Sequence, residues 1–225
     1  MALILNIDTA TTTGSVSLSR DGQVIQTLVN EKQSDHAATM TLFVQQILKE
    51  QGISHQELDA IAVSAGPGSY TGLRVGVATA KGLCYAWQKP LLAISTLQMM
   101  AQGLVSAVND ETAWYCPMLD ARRQEVFMGL YDARLKEIMP PQAMILEPSS
   151  LEAQLAERKI YFFGDGSPKW KLMLSSPKNA IFTEYVISAA HMAPLSAQAF
   201  DQKLFVDLAY FSPFYLKPFY SPQKP

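Results

Sequence analysis

Three short runs of apolar and alternating residues open the chain. Leu3-Ile4-Leu5-Asn6-Ile7-Asp8 is apolar up to a closing carboxylate, and Ser15 to Ser19 follows the hydroxyl-rich stretch Thr9 to Thr13 and Gly14. From Gln23 to Asn30, Val24, Gln26 and Leu28 alternate with Ile25, Thr27 and Val29 with little polar contrast. Asp21-Gly22 is a two-residue hairpin signal between the second and third runs, so the pattern predicts three antiparallel strands. The period then changes. Met40, Phe43, Val44, Ile47 and Leu48 recur at helical spacing, with Ser34 or Asp35 as a start signal and Gly52 as a stop. Ser54-His55-Gln56-Glu57 is a capping-box pattern for a short helix, and Ala60 to Ala65 is a β-branched apolar run bounded by Gly66-Pro67-Gly68.

The remainder repeats that order of elements without repeating its residues. A long helix from about Ser69 is followed by a strand at Pro90 to Ile94, and Ser95-Thr96-Leu97-Gln98 starts a helix reaching about Ala107. After the polar break Asn109-Asp110-Glu111-Thr112, Trp114 to Leu119 and Glu125 to Tyr131 read as a hairpin around Asp120-Ala121-Arg122-Arg123, with a third strand at Ala143 to Glu147. Next come a short helix after Ser149-Ser150-Leu151-Glu152, a strand Lys159 to Phe163, a Gly164-Asp165-Gly166 turn, a helix begun by Ser167-Pro168 and a long helix from Ser188. Two halves, residues 1–108 and 109–225, each opening with three strands, imply a duplicated α/β architecture. The aromatic, proline-rich end from Tyr210 to Tyr220 is unsuited to a regular helix and is expected to pack as an extended tail or to meet a partner.

The segment from residue 66 to 82 is the most specific. Gly66 and Gly68 permit backbone angles that a Cβ forbids, and Ser69 or Thr71 is placed to cap the helix that follows. Such a loop suits an anion, and it also suits a plain turn. Gly72, Gly76 and Ala80 form a bare stripe at four-residue spacing, where another backbone could approach closely, from within the fold or across a subunit boundary. Each glycine in a helix interior costs about 1 kcal/mol relative to alanine, so the stripe implies a compensating contact.

With 225 residues, 48% hydrophobic, 17% charged and a net charge of -2, the chain has no electrostatic field to draw it alone onto nucleic acid. Met1 to Ile7 lacks the features of a secretory signal, and no apolar run approaches the ~20 residues of a membrane span. Cys84 and Cys116 are too few for a disulfide framework and read as buried packing residues. A cytoplasmic protein is the expectation. His36, His55 and His191 are dispersed, without metal-ligand spacing, and read as surface or capping residues, and no serine, histidine and acid set assembles.

Taken in order, Leu-Asn-Ile-Asp-Thr-Ala-Thr, Gly-Pro-Gly-Ser-Tyr-Thr-Gly-Leu-Arg-Val-Gly, Leu-Asp-Ala-Arg-Arg-Gln-Glu-Val-Phe, Phe-Gly-Asp-Gly and the ending Pro213-Phe214-Tyr215-Leu216-Lys217 resemble the bacterial TsaB family, also called the YeaZ type, from Leu3 to about Lys217. The resemblance implies the two-domain fold of actin, sugar kinases and heat-shock-chaperone ATPases. It also implies a role in making threonylcarbamoyladenosine in tRNA, with the catalytic paralogue TsaD and the small ATPase TsaE as partners.

In that wider superfamily a carboxylate at the end of the first strand lies near nucleotide phosphates, a position matching Asp8. Here Thr9-Ala10-Thr11 follows where the superfamily has a glycine, so Asp8, Thr9, Gly66 and Gly68 are only weak nucleotide candidates. The paralogue's two metal-binding histidines correspond to Thr96 and Met100, poor ligands for a divalent ion. The resemblance therefore implies a scaffold without chemistry or cofactor of its own, ATP and a divalent metal belonging to the partner subunits and tRNA being met through the complex. Docking is expected through the helix with Gly72, Gly76 and Ala80 and the preceding one with Met40, Val44 and Ile47, while Phe43 and Leu48 remain core. The same surface would serve a homodimer when the partner is absent. Arg122 and Arg123 would meet RNA phosphates, or pair locally with Asp120 and Glu125 in a solvated turn. An independent ATP-dependent kinase or a glycoprotease-like peptidase is the alternative.

Overall fold

Asp21 and Gly22 both adopt positive φ, 50° and 78°, the geometry of a tight hairpin turn. In a computed structural model that describes residues 1–30, 36–174 and 178–217, this turn folds β2 (Gly14–Arg20) onto β3 (Gln23–Asn30), and β1 (Leu3–Asp8) runs antiparallel to β2. The apolar run at Ala60 becomes β4 (Ala60–Gly66), parallel to β1, and β5 (Leu91–Ser95) is parallel to β4. Between them lie α1 (His36–Glu50), a 3-10 turn at His55–Glu57 and α2 (Tyr70–Trp87). Ser54 and Glu57 close the expected capping box, Ser54 Oγ accepting from Gln56 N at 3.3 Å and Glu57 Oε1 accepting from Ser54 N at 3.3 Å. Ser69, rather than Thr71, caps α2 through Gly72 N at 3.2 Å. The expected start of α1 at Ser34 or Asp35 lies outside the described residues.

The second half repeats the topology. Antiparallel β6 (Trp114–Asp120), β7 (Glu125–Tyr131) and β8 (Glu137–Ile145) are followed by β9 (Ile160–Phe163), parallel to β6, and β10 (Ala180–Phe182), parallel to β9. With β11 (Phe205–Val206) antiparallel to β5 at one edge, the sheets are ordered β11-β5-β4-β1-β2-β3 and β10-β9-β6-β7-β8, the same meander with two parallel strands added beyond its first strand. This is the duplicated α/β fold expected from element order.

Between the sheets, α3 (Thr96–Val108) supplies Leu97, Met100 and Leu104 to one core shared by Ile4, Ala62 and Leu92 of the first sheet and Tyr115, Tyr131 and Phe163 of the second. A separate core lies under α1 and α2, and a third, around Trp170 and Phe162, under α4 (Glu152–Glu157) and α5 (Ser167–Lys171).

Three features depart from the sequence reading. The third strand of the second half is Glu137–Ile145 rather than Ala143 to Glu147, because Pro140 and Pro141 are tolerated where β8 pairs on one side only, as a sheet edge. The helix expected from Ser188 is divided into a 3-10 turn at Ala189–Met192 and α6 (Ala193–Asp201), which starts on Pro194. The chain after about residue 188 does not stay with the second half. Ala189 N donates to Ser15 Oγ at 2.8 Å, α6 packs on β1, β2 and β5, and β11 (Phe205–Val206) pairs with β5. The last described stretch thus completes the first lobe instead of belonging to a unit spanning 109–225.

Candidate functional site

The lobes enclose a cleft of about 790 Å³. Its walls come from Ala10, Thr11 and Thr12 after β1, Gly68 to Thr71 at the start of α2, Leu119 to Arg123 and Glu125 of the β6–β7 hairpin, Asp165, and Phe214 to Lys217 of the tail. Sequence reasoning picked out the first three segments but missed the tail as a wall, because only the fold brings residue 214 back to residue 65.

Of the four weak nucleotide candidates only Gly68 faces this cleft. Asp8 is fully buried, and its Oδ1 accepts from Ala10 N at 3.0 Å. Thr9 is also buried, and its hydroxyl donates to Gly72 O at 2.7 Å. Gly66, with φ of +110°, turns toward the tail, where a Cβ would lie 2.3 Å from Phe214 O. A metal-held phosphate in the manner of the ATPase superfamily needs a supple loop after β1 and a carboxylate open to solvent. This loop is instead packed under α2 and its carboxylate sealed, so the residues do not fit that group. Among the described residues there is also no cluster of three His, Cys, Asp or Glu that could hold a metal.

Arg122 and Arg123 line the cleft, exposed, with positive φ of 69° and 52°. The turn is held by Arg122 N donating to Asp120 Oδ1 at 2.6 Å and Ala121 N donating to Glu125 O at 3.1 Å. Both neighbouring carboxylates pair elsewhere, Asp120 with Lys169 at 2.5 Å and Glu125 with Lys217. Neither arginine forms an ion pair among the described residues, so the expected local pairing does not consume their charge. Burial pushes the Asp120 carboxyl up, but the Lys169 ammonium and the Arg122 N–H outweigh it and hold it below its usual value. Asp165, accepting from Asp120 N at 2.9 Å, is pushed up by burial.

The six residues expected at a partner interface are corrected by the structure. Met40, Val44, Ile47, Gly72, Gly76 and Ala80 are all buried within the chain. A Cβ on Gly72 would lie 2.1 Å from Thr9 O, and one on Gly76 2.2 Å from Thr9 Oγ1. The bare stripe accommodates the loop after β1 rather than a second molecule. The outward face of the α1–α2 pair is different. On α1 Leu42 is 60% exposed, and on α2 Tyr85 is 81% exposed along with the small residues Ala78, Gly82 and Ala86, where a Cβ on Gly82 would meet nothing within 4 Å. The i, i+4, i+8 spacing of those small residues was the available signal, overshadowed by the neighbouring buried stripe.

Thr96 and Met100 are buried at the start of α3. His55 stacks on Trp87 at 5.2 Å, and His191, rather than lying at the surface, sits 2.6 Å from the Tyr185 hydroxyl, where burial lowers its pKa. The side chain of His36 lies outside the described residues. Both thiols are buried, which pushes Cys84 up to about 12 and Cys116 further. Thiol labelling of the native protein should therefore run at least about a hundredfold slower than in guanidinium. Rapid labelling of either cysteine in the folded state would overturn that burial.

The family model for TsaD, tRNA N6-adenosine threonylcarbamoyltransferase, matches residues 25–216. The tRNA threonylcarbamoyladenosine biosynthesis protein TsaB of Bacillus subtilis is 31% identical over 180 residues, 76% of this chain and 74% of its own length. The protein of the same name from Escherichia coli is 30% identical over 221 residues, 95% and 94% of the two chains. A Pseudomonas aeruginosa crystal structure, described as an uncharacterized protein with similarity to peptidase YeaZ, superposes with a TM-score of 0.86 at 25% identity, covering 96% of this chain and all of that one. The activator of 2-hydroxyisocaproyl-CoA dehydratase from Clostridium difficile shares the fold alone, with a TM-score of 0.51 at 10% identity over 89% of this chain and 97% of that one. The two sheets and these neighbours give the two-domain fold of the actin, sugar-kinase and chaperone ATPases.

Proposed function

The chain belongs to the TsaB (YeaZ) family, and on that premise we propose that it is the non-catalytic, activating subunit of the machinery that installs threonylcarbamoyladenosine beside the anticodon of tRNA. It has a role in tRNA threonylcarbamoyladenosine biosynthesis, as its relatives' names say of them. In the proposed assembly it pairs with a TsaD paralogue as a heterodimer, TsaE engages that pair, and tRNA is met through the complex. ATP and the divalent metal act on the partner subunits. Without the paralogue, the same face serves a homodimer.

The observation that carries this reading is the outward face of α1 and α2. Leu42 on α1 and Tyr85 on α2 present apolar area to solvent, and α2 adds an exposed strip of alanine and glycine that would let a second helix approach closely. The sealed Asp8 and the buried Thr96 and Met100 support a subunit without chemistry of its own, and they weigh against a kinase or a metallopeptidase. Among the described residues no helix is long and apolar enough to cross a membrane.

The test is nucleoside mass spectrometry of tRNA incubated with TsaD, TsaE, threonylcarbamoyl-adenylate and ATP. Modification should require this chain and should be lost with Gly82→Arg, whose side chain enters open space, so that the folded protein loses only its docking face. Equal modification without the chain would sink the scaffold reading. Full activity of Gly82→Arg would move the interface elsewhere. Tight magnesium-dependent ATP binding by the isolated chain in calorimetry would favour the kinase alternative.

A further inference from the structure

We propose that residues 205–217 are a latch between the lobes: a strap fixed on the first lobe whose last described residue, Lys217, grips the β6–β7 turn of the second through Glu125 and so sets how far that turn opens from the cleft. The fixed side is extensive. Phe205 and Val206 pair with Leu92 and Leu91, and Leu208 and Phe211 pack on the core under α1 and α2. Lys81 Nζ donates to Ala209 O at 3.3 Å and to Phe211 O at 3.0 Å, and Phe214 N donates to Ala65 O at 2.7 Å. Tyr215 lies against Tyr70, ring centres 5.1 Å apart, and Arg74 covers Tyr70 at 4.3 Å while its Nε donates to the Tyr215 hydroxyl at 3.4 Å. Gly66 is shaped to this passage, because a Cβ there would meet the strap's own backbone.

Among the described residues, one ion pair joins the strap to the second lobe. Lys217 Nζ bonds Glu125 Oε2, at the first residue of β7 and the foot of the turn that carries Arg122 and Arg123. Lys217 is 48% exposed at its side chain and Glu125 16%, so this grip is open to water at one end. A strap held by a sheet edge, backbone hydrogen bonds and an aromatic stack at one end, and by one screened ion pair at the other, detaches at the ion pair first. The core around α3 holds the lobes together, so releasing Lys217 frees the β6–β7 turn alone to swing from the strap, and that widens access to Arg122 and Arg123. This inference stands apart from the proposed function, since it concerns the isolated chain.

Hydrogen exchange of the isolated protein tests it, with Lys217→Glu, Glu125→Lys and the double charge swap compared against wild type. An exposed pair shifts an opening equilibrium by about three- to fivefold, so each single variant should speed exchange of the bonded amides of Ala121, Arg122 and Glu125 by that factor. The swap should return them toward the wild-type rate. High salt should speed the same amides more in wild type than in the single variants, because it screens an attraction in the one and a repulsion in the others, while the Asp120–Lys169 pair is common to all. Unaltered exchange in Lys217→Glu, a swap no slower than the single variants, or salt-insensitive wild-type exchange would each overturn the latch. The salt arm needs no variant, so a misfolded substitution does not shield the proposal.

Discussion

Replacing Gly72 with valine should destabilise the protein by at least about 3 kcal/mol, lowering Tm by roughly 6 to 12 °C. The new Cβ would lie 2.1 Å from a backbone oxygen, Thr9 O, and no side-chain rotation relieves that. To make room, α2 must lift away from the loop after β1. That breaks the 2.7 Å bond from the Thr9 hydroxyl to Gly72 O and loosens Val77, Ala80 and Cys84 from the core below. Gly82→Ala is the matched control on the same helix. Its Cβ meets open space, so it should gain up to about 1 kcal/mol from improved helix propensity. Thermal unfolding of the pair checks the assignment directly: if both substitutions behaved alike, the stripe would not be packed on Thr9. Gly76→Arg falls with Gly72, because its Cβ would lie 2.2 Å from Thr9 Oγ1. A loss of tRNA modification in that variant would therefore report misfolding and say nothing about docking.

In the second lobe the largest effect belongs to Trp170. Truncation to alanine should cost about 3–5 kcal/mol in urea denaturation, the range for a fully buried indole. Trp170 meets Phe162 edge to face at 4.7 Å, lies against Phe182, and donates its Nε1–H to Glu147 O at 3.1 Å. Trp170→Phe keeps most of the ring area and loses that donor, so its cost should fall to roughly 1–2 kcal/mol. Both variants should unfold in one transition, as should Gly72→Val, because α3 inserts the same leucines and methionine into both sheets. Separate transitions for the two lobes, or an alanine variant as stable as wild type, would contradict that shared core.

Much of the frame was legible because it depends on local signals. Asp21-Gly22, the Ser54 and Ser95 caps and the period change at Met40 act within a few residues, and each appears where the sequence puts it. The duplication was legible from element order alone. What escaped was contact across long separations. Glycine spacing on α2 announced a close approach without naming the visitor, and Thr9, more than sixty residues upstream, leaves no mark in the helix pattern. Strands β10 and β11 span only three and two residues, too short for alternation to register. The cleft was half legible: Gly68, Arg122 and Arg123 were singled out by backbone and charge, whereas Asp165 and Phe214 join them only through the fold.

The return of the chain to its first lobe bears on how the protein is made. The lobe that leaves the ribosome first is finished last, since α6 covers β1 and β2, and β11 pairs with the edge of β5, only after the whole second lobe has been synthesised. Elongation through the intervening stretch of roughly a hundred residues takes about 5 to 20 s, and for that interval the nascent chain carries an unpaired strand edge. Premature termination before α6 would release a fragment with that edge open to its neighbours, so the hazard of incomplete translation falls on the first half of the molecule, although that half is intact in sequence.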